Sequence, residues 1–161
     1  MKQLEERLDL IAEITEPGHR EVLTIMHASR ALSGAASRLL RAHDLTEAQF
    51  NVLMLLKHQS QNGLTQVELS ERMFVNRANM TGLIDRMERD RLVRRRPRPG
   101  DRRVHVVGLT AGGQRRVDLA EVDYFKEISR ITHLLSARDA AALTRSLLGM
   151  CDAIADGNRG T

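Results

Sequence analysis

Tryptophan is missing from the 161 residues, cysteine occurs once, proline three times, and aromatic side chains make up 2% of the chain. Each shortage excludes something. With Tyr124 and three phenylalanines as its aromatics, the chain is not expected to build the stacking platforms on which single-stranded or RNA-binding modules splay bases. A single cysteine, Cys151, leaves no internal disulfide framework and suits a reducing compartment. No window reaches the roughly 18 uninterrupted apolar residues of a membrane span, and the opening MKQLEERLDL lacks the apolar segment of a secretory signal. A cytoplasmic protein with no membrane partner is expected. The histidines, at positions 19, 27, 43, 58, 105 and 133, are scattered, and HExxH, paired-cysteine metal spacing, a phosphate loop and a nucleophile elbow are all wanting. Neither catalysis nor a metal or cofactor site is expected.

What the chain does have is charge, unevenly placed. It is 42% apolar and 29% charged, enough for one ordinary core or two small joined ones, with a net charge of +4. From Arg72 to Arg103, however, eleven arginines face four acids, a surplus of seven that leaves the rest of the chain at −3. The stretch RRRPRPGDRRVH, residues 94–105, puts six arginines into ten positions in the middle of the chain. A basic block between neutral or acidic flanks is the footprint of a phosphate-binding surface, and equally of a merely solvated face. The surrounding elements decide between them.

Several helix starts are written as local chemistry. In LTEAQF, Thr46 and Gln49 can cap each other's backbone while Leu45 packs on Phe50, and LTQVEL repeats the arrangement with Thr65, Glu68, Leu64 and Leu69. Thr110 and Ser136 are further N-caps, although two glycines after Thr110 weaken that first turn. Apolar residues at helical spacing, Leu32, Ala35, Ala36, Leu39 and Leu40, then Val52, Leu53, Leu55 and Leu56, predict two core faces. A short helix over 66–73 is followed, after FVN, by one whose Met80, Leu83, Ile84 and Met87 form an i, i+3, i+4, i+7 stripe. Along it Asn76, Arg77, Asn79, Met80, Thr81 and Arg86 are the candidate contacts to base edges and phosphates of duplex DNA. Two short helices joined by a tight turn, the second basic and polar outward, read as a helix-turn-helix.

RLVRRRP and RRVHVVGL alternate as two antiparallel strands, with RPRPG between them as a hairpin tip stiffened by Pro97 and Pro99 and turned at Gly100. Such a ribbon beside a recognition helix can lay arginines along the neighbouring minor groove, which makes Arg96, Arg98, Asp101, Arg102 and Arg103 the candidate wing residues. A basic hairpin with no ligand is the bland alternative. Through LTQVELSERM, NMTGLIDRMERDRLVRR, DRR and LTAGG, residues 45–113 resemble the MarR family of winged helix-turn-helix regulators. The family's wing pattern falls on Asp101, Arg103, Leu109, Thr110 and Gly113. The resemblance implies that Arg103 enters the minor groove, that Asp101 orients it, and that the helix beginning near Asn76 enters the major groove. Gly108, where the family usually has a larger residue, predicts a second strand that ends early.

The expected architecture is therefore mainly α with a small β-hairpin wing: a winged helix-turn-helix domain over 45–110 and a helical dimerisation region over 1–44 and 111–161. The terminal segments, including a short amphipathic helix around Leu4, Leu8 and Ile11, bury too little surface alone, so they are expected to pack against a second copy. Cys151 falls on the apolar pattern of the last helix, at the expected dimer interface. The resemblance further implies a homodimeric repressor released by a small aromatic or phenolic effector, whose binding residues the sequence does not name. The alternatives are a constitutive architectural DNA-binding protein and a helical protein-interaction module.

Overall fold

Each of the four N-caps forms the hydrogen bond that its spacing promises. In the computed structural model, which describes residue 6 and residues 16–59, 62–98 and 100–157 but not the side chains of residues 59 and 102, the capped helices fall into a single order. Helix α1 covers His19–Arg41, α2 Glu47–Gln59, α3 Gln66–Arg72 and α4 Arg77–Arg89. Strands β1 (Val93–Arg98) and β2 (Asp101–Leu109) follow, then α5 (Ala111–Thr132) and α6 (Ala137–Gly157). The segment around Leu4, Leu8 and Ile11 lies outside the described residues. At the start of α2 the Gln49 amide N–H donates to Thr46 Oγ1 (3.2 Å) while the Thr46 N–H donates to Gln49 Oε1 (2.9 Å). Thr65 and Glu68 repeat this reciprocal pair at α3, at 3.1 and 2.6 Å.

The chain divides into two units, residues 1–124 and 125–161, at a point within α5. The first holds a closed apolar core. Phe50, Val52, Leu53 and Leu56 of α2, Leu69 of α3 and the Met80, Leu83, Ile84, Met87 stripe of α4 are buried together with Val93 and Val107 of the hairpin. Leu40, Val117 and Ala120 close it from α1 and α5, and Tyr124 packs on Phe50 with ring centroids 4.8 Å apart. The core face expected along α1 is covered toward its C-terminal end: Leu40 is buried, Leu39 packs on the core, Ala35 and Ala36 are half-buried, and Leu32, Met26 and Val22 stay exposed.

The hairpin pairs Val93 with Leu109, Arg94 with Gly108, Arg95 with Val107 and Arg96 with Val106, with an irregularity between Pro97 and Arg98. Gly108 does not end β2 early, as its small size suggested; the strand runs on to Leu109 because Gly108 sits opposite Arg94 in continuous register. Leu64 adds a bridge to Val107, exchanging two backbone hydrogen bonds of 3.0 and 2.7 Å. Gly63 permits this approach, since its φ is +82° and a Cβ there would stand 2.6 Å from the Val107 carbonyl oxygen.

The LTAGG signature has a packing cause. The Thr110 hydroxyl donates to the Arg91 carbonyl (2.6 Å) and accepts from the Gly113 N–H (2.9 Å), tying the end of β2 to the turn after α4. Gly113 is seated on that turn so closely that a Cβ would lie 1.9 Å from the Leu92 carbonyl oxygen. The glycine weakens the helix slightly and makes the junction possible.

In the second unit, Ser136 Oγ caps α6 by accepting from the Asp139 N–H at 3.2 Å. None of the α6 residues is buried, and its Leu143, Leu148 and Ile154 are exposed. No described helix is long and apolar enough to cross a membrane.

Candidate nucleic-acid interface

The exposed face of α4 begins with a capped end. Asn76 takes extended dihedrals and its Oδ1 accepts from the Asn79 N–H at 2.8 Å, so its side chain is engaged at the cap. No acid occupies the first turn, where a carboxylate would ordinarily settle against the helix dipole, and the positive end is left to an external anion. Arg77, Asn79, Thr81 and Arg86 are exposed, with the Thr81 hydroxyl turned back onto the Arg77 carbonyl (3.0 Å). Met80 is a correction. It is fully buried beneath this face, because it shares the 100° arc of Leu83, Ile84 and Met87, and it supports the contact surface from inside the core.

The wing arginines separate into different roles. Arg95 is held within the protein: its guanidinium pairs with Asp85 (2.5 Å) and Glu88 (2.6 Å), and its N–H donates to Glu88 (2.8 Å). The backbone donation from Arg95, followed by its guanidinium, holds the Glu88 carboxyl below the usual glutamate value. Arg98 lies 3.5 Å from Glu68, whose carboxyl is depressed chiefly by the Thr65 backbone N–H in the capping pair. Arg103 is the opposite case. Asp101 Oδ1 accepts from the Arg103 N–H at 3.0 Å and lies 3.7 Å from its Nε, while the Arg103 side chain is 95% exposed. It projects beside the tight turn at Gly100, where φ is +86°. The Arg102 side chain is outside the description, and Arg96 lies against the bare Gly108 backbone rather than at the tip.

Sequence reasoning missed two further features. Lys57 of α2 pairs with Asp118 (2.7 Å) and with Glu121 of α5, and His58 also contacts Glu121. Asp118 and then Glu121 raise the Lys57 ammonium above the usual lysine value, and Lys57 lowers both carboxyls. The second feature is an open cleft of about 470 Å³ lined by Met54, Leu55 and Met73 with Asn51, His58 and Arg72. Neither carries a sequence signal, because the carboxylates that hold Lys57 lie on a helix far along the chain. Among the described residues no cluster of histidine, cysteine and carboxylates could hold a metal ion.

A two-helix turn with an exposed basic second helix and an arginine-tipped hairpin alongside is the winged helix-turn-helix class of DNA-binding fold. The MarR family model matches residues 43–104. The HTH-type transcriptional repressor YetL of Bacillus subtilis is 28% identical over 130 residues, 81% of this chain and 78% of its own. In fold, the chain is similar to MepR of S. aureus, solved as a DNA complex, with a TM-score of 0.77 and 21% identity over 83% of this chain and 95% of that one. It is equally similar to CouR of Rhodococcus jostii RHA1, solved with p-coumaroyl-CoA, at a TM-score of 0.77 and 21% identity over 85% and 95%. Residues 43–104 thus match the MarR family model, and relatives similar to most of the chain, YetL among them, are named as transcriptional regulators.

Proposed function

We propose that the protein is a cytoplasmic, ligand-responsive transcriptional regulator, acting as a repressor, that binds a pseudo-palindromic operator as a homodimer. The observation that carries the reading is the pairing of an Asp101-braced, almost fully exposed Arg103 at the wing tip with an acid-free first turn on α4. Arg77, Asn79, Thr81 and Arg86 face the major groove, Asn76 fixes the start of their helix, and Arg103 enters the minor groove with Arg98 and Arg102 on phosphates. The uncovered apolar residues of α6 and of α1 support pairing with a second copy, and two-fold symmetry then sets two half-sites about one helical turn apart.

Ligand response is supported by the cleft, whose apolar wall with His58 and Arg72 suits a small aromatic acid of the kind that CouR holds as a coenzyme A ester. That cleft favours a regulated protein over a constitutive architectural one.

The experiment is footprinting of DNA beside the protein's own gene, then titration of the protected duplex with variants. Arg103→Ala should cost about 1–3 kcal/mol, more on A·T-rich flanks than on G·C-rich ones. Asp101→Ala should reproduce part of the loss although it removes a negative charge. Tighter binding by Asp101→Ala would reduce the wing to a diffuse positive charge.

A further inference from the structure

The alternation of β1 leaves two arginines unexplained. Arg95 points to the α4 side and is doubly paired, whereas Arg94 and Arg96 lie on the other face and have no ion-pair partner among the described residues. They line a polar concavity of about 250 Å³ at the root of the hairpin, shared with Lys57 of α2 and Gln114 of α5. Its space comes from Gly108. That residue pairs with Arg94, and a Cβ added to it would lie 3.7 Å from Arg96 Nε, so a branched side chain there would grow into the concavity.

Two unpaired guanidiniums in one concavity call for an anion, and the Lys57 ammonium is already offset by Asp118 and Glu121. A monocarboxylate would leave one guanidinium uncompensated. A phosphate group, with a charge of about −1.5 to −2 near neutral pH and oxygens that match the guanidinium fork, balances both. The duplex is held at the tip, and at about 3.3 Å per strand residue Arg94 stands about 13 Å from Arg98 and about 20 Å from the turn at Gly100, beyond the Debye length of about 8 Å at physiological salt and clear of duplex phosphates.

We propose that Arg94 and Arg96, with Gln114 and Lys57, form a binding site for the phosphate group of a small molecule at the root of the wing, distinct from the DNA-contacting tip. The exclusion of duplex phosphate rests on the proposed DNA reading, but the anion titration below does not, so the two can fail separately. Such a ligand would bridge the wing to α2 and α5.

The test is thermal unfolding of the full-length protein with inorganic phosphate against sodium chloride and sodium acetate at matched ionic strength. The expected result is a rise in midpoint of about 3 °C when phosphate is tenfold above its dissociation constant, with none for acetate. Gly108→Val fills the concavity without changing any charge and suits a strand, and it should abolish the rise; Arg94→Gln/Arg96→Gln, which keeps the strand lined with polar side chains, should do the same. No rise in the unaltered protein, an equal rise with acetate, or an equal rise in Gly108→Val and the double variant would each overturn the site. In DNA titrations the double variant should leave the salt slope unchanged. A slope lower by about two units would assign these arginines to duplex phosphates instead.

Discussion

The first unit and α6 are both rich in leucine, alanine and methionine, yet they use them in opposite ways. In residues 1–124 the apolar stripes of α2, α3 and α4 meet one another and the hairpin, so Leu53, Leu69, Met80 and Ile84 are fully buried within one chain. In α6 the same residue types stay at the surface, Leu148 at 59% and Ile154 at 66% exposure, and no residue is buried. The core of the winged unit is complete in a single chain. The amphipathic pattern of α6 specifies a helix and an apolar face that the described residues leave uncovered.

The contrast can be broken most severely with two glycines. Gly113→Ala would place a methyl group 1.9 Å from the Leu92 carbonyl oxygen and should cost more than about 4 kcal/mol, enough to lose the cooperative transition of the winged unit in denaturant melts. Gly149→Ala in α6 meets nothing within 4 Å and should stabilise the helix by about 0.5–1 kcal/mol. Comparable losses from both would mean that α6 is as tightly packed as the winged unit.

Next in size is Leu148→Glu, which should weaken self-association at least about tenfold by sedimentation, or about 1.4 kcal/mol, while the winged unit still melts as before. A dimer indifferent to this charge would place the interface elsewhere.

Acid should also act on one side of the comparison. Glu68, Glu88, Asp118 and Glu121, all in the first unit, have carboxyls held below their ordinary values by hydrogen bonds and ion pairs. Their stabilisation is present above the ordinary carboxylate range and is lost as pH falls through it and through the depressed folded values, since the unfolded chain then binds more protons. Urea midpoints should therefore drop as pH falls below about 4.5, the ordinary glutamate value, and Glu121→Gln should flatten the profile. An identical profile in that variant would remove the α2–α5 carboxylate from the account.

The smallest expected effect is at Phe74, which sits in the turn between α3 and α4 with φ +53° and 96% exposure. Phe74→Gly relieves the left-handed strain and should raise stability by about 0.5–1 kcal/mol in urea melts. A loss would reveal packing that the ring's exposure does not suggest.

Much of this was legible in the sequence, for physical reasons that differ from residue to residue. Capping is written within four residues, so Thr46, Thr65 and Ser136 could be read as spacing and found as bonds. The α4 stripe was legible too, and it already placed Met80 in the core, where a base contact is impossible. What could not be read was partnership across elements. Nothing in RRRPR distinguishes Arg95 from its neighbours until the strand register sends it toward Asp85 and Glu88 while Arg94 and Arg96 turn away. The need for glycine at 113 was similarly hidden, because the atom it must avoid, the Leu92 oxygen, is 21 positions earlier and is brought near only by the closed hairpin.

The Thr110 hydroxyl, bonded at once to the end of the α4 turn and to the first turn of α5, makes a joint without slack. With Gly113 pressed on Leu92 as well, the first turn of α5, the turn after α4 and the end of β2 are fastened to one another, so the root of the hairpin is anchored on two helices through one threonine and one glycine.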